Sequence, residues 1–169
     1  MERLQAEGAL VQLNERFTNS AAFGNLFREG MDLVEETAAY LDGAGRVEAK
    51  ALDRAVSLTY ATESMRLTTR LMQLASWLLL HRAVKEGEMT LVQANREKTK
   101  VKLTAADPGL ADTIEKLPAQ LQDLIHRSMS LQSRVRRLDT TIHTPPAEHS
   151  AIGNPLVPHL NALKAAFER

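Results

Sequence analysis

A chain of 169 residues, 44% hydrophobic and 25% charged, is long enough to bury one ordinary core and is not composed like a disordered polyelectrolyte. Its 21 basic and 21 acidic residues cancel, so no overall field favours nucleic acid or an anionic membrane. Cysteine is absent, which excludes disulfides, thiolate nucleophiles and cysteine-ligated zinc or iron–sulfur centres, and permits a cytoplasmic setting.

The N-terminal MERLQAEGALVQLNERF sets acids among its apolar residues and lacks the roughly 7 to 15 residue apolar core of a secretory signal. Residues 1–16 read as an extension, 17–143 as the folded domain and 144–169 as a flexible tail. Within the domain, Phe23, Leu26, Phe27, Gly30, Met31, Val34, Ala38 and Leu41 predict a helix from about Ser20 to Leu41. Its opposite face is acidic, with Glu29, Asp32, Glu35 and Glu36. The run Asp42-Gly43-Ala44-Gly45 stops it, glycine being suited to a left-handed C-cap.

A second helix is predicted from between Glu48 and Asp53 to Glu86, with Gly87 ending it. At a rise of about 1.5 Å per residue it spans roughly 50 Å, against roughly 33 Å for the first, so it overhangs its neighbour or meets something else. Laid out at about 100° per residue, Ala61, Ser64, Met65, Thr68, Leu71, Met72, Ala75, Leu78 and Leu79 share one side, the broad stripe expected to face the core. The other side runs Glu63, Arg66, Arg70 and Gln73, then Trp77, Leu80 and Val84 beside His81. Two readings of that apolar end stay open. It is a partner-binding patch, tryptophan being enriched at interaction hot spots, or it is covered by the short helix or N-terminal segment of the same chain.

Further on, Thr90-Leu91-Val92-Gln93 has the form of a capping box and predicts a short helix from Thr90 to about Lys98. Asp107-Pro108-Gly109 marks a loop or another helix start, and Leu117-Pro118 opens the last long helix. That helix carries Leu121, Leu124, Ile125, Ser128, Leu131, Val135, Leu138 and Ile142 on one side. Ser64, Thr68, Ser128 and Gln132 fall near the buried stripes, either as a polar layer that fixes register or bonded to carbonyls one turn back. Strand signals are nearly missing, and the longest apolar stretch, around Leu71 to Leu80, is well short of the roughly 20 residues of a membrane span. The fold class is therefore all-α, an antiparallel three-helix bundle with an extra short helix. After Thr144 the chain is proline-rich, and Leu156, Leu160, Leu163 and Phe167 then recur at helical spacing. That element either caps the bundle or serves as a recognition tail.

No set of residues demands catalysis or a cofactor. His81, His126, His143, His149 and His159 form no HExxH and no i,i+4 pair; GxSxG, GxGxxG and GxxxxGK[ST] are absent. Arg127, Arg134 and Arg137 stripe the last helix, with Asp123 placed to pair with Arg127, and Arg96, Lys98, Lys100 and Lys102 form a second basic group. Neither group has interleaved aromatics, so solvation or an acidic protein partner is the expectation. The alternative is a nucleic-acid-associated helical regulator using the arginine stripe.

The stretches FTNSAAFGNLFREGMDLVEETAAYLDG and YATESMRLTTRLMQLASWLLLHRAVKEGEM strongly resemble the alphaproteobacterial RcdA family, regulators of CtrA degradation. The likeness is close from about Phe17 to Lys102, looser through the last helix, and weakest in the first sixteen residues and the tail. It implies a homodimeric three-helix bundle without enzymatic activity, acting as an adaptor for the ClpXP protease in the cell cycle. Such an adaptor binds substrates and brings them to ClpXP primed by a receiver-domain protein. It also implies a cyclic-di-GMP receptor as a further partner when a cell-cycle master regulator is the substrate, with the nucleotide held by that receptor. The candidate partner-binding residues are Trp77, Leu80 and Val84, the acidic Glu35 and Glu36, and the tail anchors Leu160, Leu163 and Phe167.

Overall fold

The computed structural model of the chain describes residues 16, 20–98 and 111–143. Residues 1–15 of the N-terminal extension and the tail, with Leu160, Leu163 and Phe167, lie outside the described residues. Six helices occur among those residues: α1 (Ala21–Asp42), α2 (Ala44–Lys50), α3 (Arg54–Lys85), α4 (Leu91–Lys98), α5 (Ala111–Ile114) and α6 (Ala119–His143). They are the all-α fold expected, and α1, α3 and α6 make the bundle.

Local chemistry fixes where each helix starts. Ser20 caps α1, its hydroxyl accepting the Phe23 N–H at 3.2 Å, and Asp53 caps α3, its carboxylate accepting the Val56 N–H at 2.9 Å. The capping box before α4 forms as expected, with Thr90 N–H to Gln93 Oε1 at 2.9 Å and Gln93 N–H to Thr90 Oγ1 at 3.2 Å.

The ends are less uniform. Gly43 does stop α1, but with φ −111° and ψ −108°, not as a left-handed cap; its N–H bonds to the carbonyls of Ala39 and Tyr40. The chain bends just enough to start α2, which the sequence pattern did not separate. A side chain at Gly45 would stand 2.6 Å from the Tyr60 hydroxyl and 2.8 Å from the Tyr40 carbonyl, so only glycine allows this approach. The left-handed glycine is Gly87, at φ 74°, where Glu88 N–H reaches the Ala83 carbonyl and Gly87 N–H that of Val84. That pairing is the Schellman ending.

Contacts along the bundle set the helix directions. Gly30 of α1 lies under Leu78, and Gly45, just past the end of α1 in α2, lies under Tyr60, so α1 and α3 are antiparallel. Glu36 meets Arg127 and Glu29 meets Arg134, so α1 and α6 are antiparallel too. Arg70 meets Ser128 and Trp77 meets Asp139, which makes α3 and α6 parallel. The connection between α3 and α6 is therefore a crossover, with α4 and α5 both packed on α3.

The core is built from Phe23, Leu26, Leu33 and Tyr40 of α1, Tyr60, Leu67, Leu71, Leu74, Trp77 and Leu78 of α3, and Leu121, Leu124, Ile125, Leu131, Val135 and Ile142 of α6. On α6 the buried side is the one the spacing predicts. On α1 it is rotated by about one position: Leu33, Thr37 and Tyr40 are buried, whereas Met31, Val34 and Leu41 lie at its edge and Ala38 is exposed.

Candidate functional site

The long helix α3 has two sides, and they are reversed relative to the sequence expectation. Its inner side is Tyr60, Glu63, Leu67, Arg70, Leu71, Leu74, Trp77, Leu78 and His81, all buried. Of the stripe assigned to the core, Leu71 and Leu78 are buried, but Met65 is 72% exposed, Met72 66% and Leu79 52%. The physical reason is that the polar residues of the inner side have partners elsewhere in the chain. A buried charge or hydroxyl is tolerated once it is hydrogen-bonded.

Two polar clusters supply those partners. At mid-helix, the Arg70 guanidinium donates to Ser128 Oγ at 2.7 Å, and the Ser128 hydroxyl donates to the Ile125 carbonyl at 2.7 Å. Burial pulls the Arg70 pKa below its ordinary value, opposed by nearby Glu63. Glu63 is itself buried and accepts from Arg66 at 2.8 Å. Of the predicted polar layer, Ser128 and Gln132 are buried, whereas Thr68 is exposed and bonds back to the Ser64 carbonyl at 2.8 Å.

Nearer the end of α3, the Trp77 indole N–H donates to Asp139 Oδ1 at 2.8 Å, and Lys98 Nζ pairs with Asp139 Oδ2 at 2.6 Å. The Trp77 and His81 rings lie 4.1 Å apart. Trp77 is thus a core residue, covered by its own chain, with α4 contributing through Lys98. The reading of Trp77, Leu80 and Val84 as an open docking patch is corrected accordingly: Trp77 is 1% exposed, and Leu80 and Val84 are half-buried.

The charged candidates also find intramolecular uses. Arg127 of α6 bonds Glu36 of α1 at 2.9 Å and Asp123 at 3.2 Å, and Arg134 pairs with Glu29. The bond to Glu36, then that to Asp123, hold the Arg127 guanidinium protonated above its ordinary range. Glu36 is therefore a strut between helices, while Asp32 and Glu35 remain on the exposed side of α1. The arginine stripe of the nucleic-acid alternative is spent in the same way: Arg127 and Arg134 face α1 carboxylates, and Arg137 is exposed.

What is left outward is a continuous apolar face. Leu58, Met65, Met72 and Leu79 of α3 recur every seven residues and are all exposed. Ala61, Thr62, Thr68, Thr69, Ala75 and Ser76 lie between and beside them. At the helical repeat of about 100° per residue this stripe lies opposite the core-facing side, and from Leu58 to Leu79 no charged side chain falls within it. Ser64, Met65, Thr68 and Thr69 line a shallow open depression beside it. Small residues beside a heptad of large apolar ones let another helix approach closely and seat its side chains. The signal was in the sequence as a second seven-residue repeat, one face round from the repeat Tyr60, Leu67, Leu74 and His81.

Among the described residues no group of three or more His, Asp or Glu is placed to hold a metal ion, and no helix is long and apolar enough to cross a membrane. His126 is exposed, and His81 is buried against Trp77.

Residues 14–167 match the family described as Protein of unknown function (DUF1465). A search of curated proteins gives no match. Among solved structures, the crystal structure of RcdA from Caulobacter crescentus CB15 is 52% identical, with a TM-score of 0.63, and the alignment covers 76% of this chain and 96% of that one.

Proposed function

Because the chain belongs to the DUF1465 family and is 52% identical to RcdA, we propose that it is a non-enzymatic adaptor that self-associates through α3 and delivers substrate proteins to the ClpXP protease. The observation that carries the contact role is the uncharged, exposed face of Leu58, Met65, Met72 and Leu79. A lone soluble helix seldom keeps four large apolar side chains in register on the side away from its core; such patches mark interaction sites.

The occupant that fits best is the same face of a second copy. A heptad of apolar residues with small neighbours is self-complementary about a two-fold axis, and the lack of charge leaves nothing to repel an identical partner. Two copies then present two sets of the remaining surfaces. These are the exposed carboxylates Asp32 and Glu35, and the tail anchors Leu160, Leu163 and Phe167.

Adaptor action needs no shifted pKa and no cofactor. Holding a substrate on one surface while another engages the protease raises the substrate's effective concentration there, on the order of millimolar for short linkers. The partners in this reading are ClpXP primed by a receiver-domain protein, substrates that include a cell-cycle master regulator, and a cyclic-di-GMP receptor, in a cytoplasmic setting. The test is degradation of candidate substrates by purified ClpXP and the primer protein, with this chain added or omitted. Acceleration is expected for adaptor-dependent substrates; unchanged rates across all of them would refute the role.

A further inference from the structure

The two methionines exposed on α3, Met65 and Met72, stand one heptad apart in the middle of the same apolar face. Met31, Met89 and Met129 are half-buried, and the chain has no cysteine, so these are the most accessible sulfur atoms among the described residues. We propose that Met65 and Met72 form an oxidative modification site, at which a hydroperoxide converts the thioethers to sulfoxides and releases self-association. The inference rests on the proposed dimer through this face.

The chemistry balances without a further reactant. The methionine sulfur attacks one oxygen of hydrogen peroxide; an S–O bond forms and the O–O bond breaks. Sulfur loses two electrons, and the departing oxygen, with the two peroxide protons, leaves as water.

The surroundings make the product costly. A sulfoxide oxygen is a strong acceptor and needs a donor once it is covered. Three of the nearby hydroxyls are already committed to their own helix: Thr62 donates to the Leu58 carbonyl at 3.0 Å, Thr68 to that of Ser64 at 2.8 Å and Ser76 to that of Met72 at 2.8 Å, and the single hydroxyl proton of Thr69 can serve at most one of two sulfoxides. No charged side chain of the stripe offers an alternative donor. Both sulfoxides of oxidised Met65 and Met72 are therefore hydrogen-bonded together only in water, which favours the separated chains. Reaction is also gated by assembly, because pairing of the two faces covers the sulfurs and separation exposes them.

The test treats the full chain with hydrogen peroxide above and below its dissociation midpoint, maps the added oxygen by peptide mass spectrometry and follows assembly by sedimentation. Met65 and Met72 are expected to react at least about tenfold faster than Met31 and Met129, faster still on dilution, and to weaken the dimer by at least about tenfold. Methionine sulfoxide reductases restore the dimer, and a Met65→Leu, Met72→Leu chain stays dimeric in peroxide while keeping its helical circular dichroism. A dimer that survives full oxidation of both residues overturns this proposal and leaves the dimer reading standing. An untreated chain that is monomeric at every concentration overturns both.

Discussion

The inner and outer sides of α3 carry their polarity the opposite way round from what burial alone would suggest. The inner side hides Glu63 at 6%, Arg70 at 7% and His81 at 3% exposure, while the outer side leaves Leu58, Met65 and Met72 at 66% or more. Which side faces in is decided by what meets it. The inner side contains the bulky heptad Tyr60, Leu67, Leu74 and His81, and its polar members find Ser128, Arg66 and Asp139. Among the described residues the outer side has nothing to pack against, and in the proposed function its apolar residues serve as the assembly surface.

That contrast can be broken from either side. The largest effect is expected for Trp77→Ala, which opens a cavity in the core and removes the indole donor to Asp139: a loss of about 3–5 kcal/mol in urea unfolding. Loss of dimerisation with unchanged stability would return Trp77 to the surface. Next comes the outer side. Met65→Asp with Met72→Asp should weaken self-association at least about 100-fold, or about 2.7 kcal/mol, while the far-ultraviolet circular dichroism of the chain is preserved. A smaller effect tests the buried polar cluster. Ser128→Ala deprives the Arg70 guanidinium of its acceptor and should cost about 1–3 kcal/mol, much of it recovered by adding Arg70→Met. If Arg70→Met does not help the Ser128→Ala chain, the cluster is not what lets the inner side be polar.

Alkaline pH probes the end of the bundle where α1, α2 and α3 meet. Tyr40 donates to Glu48 at 2.7 Å, and burial first, then that bond, raises its pKa; burial likewise raises that of Tyr60. The folded chain thus favours neutral phenols. Their contribution is complete below the unfolded value of about 10 and is lost as pH rises through the higher folded values. Urea midpoints should be level from about pH 7 to 9 and fall above about pH 10, with Tyr40→Phe reducing the fall. The smallest effect is expected at the α1–α6 struts. Arg134→Ala should cost less than about 1 kcal/mol, and less still in high salt, because the Glu29 pair is open to solvent.

Much of the fold was legible because it is local. Ser20, Asp53 and the Thr90–Gln93 box announce helix starts within a few residues of the helices they cap, and the α6 stripe from Leu121 to Ile142 is nearly uninterrupted by charge. The facing of α3 was not legible from average polarity. The Arg70 guanidinium and the Trp77 indole N–H are satisfied by residues 58 and 62 positions away, Ser128 and Asp139, and spacing within one helix carries no information about them. The separate α2 was missed for a similar reason, since Gly45 is explained by Tyr60 across the bundle. Glu36 looked like part of a free acidic face because Arg127 lies 91 residues further on.

Sedimentation equilibrium of the wild-type chain beside the Met65→Asp, Met72→Asp variant tests most directly whether the outer side of α3 is the assembly surface. The expected result is a concentration-dependent dimer for the wild type and a folded monomer for the variant. A wild-type monomer, or a dimer that persists with both aspartates in place, would contradict it.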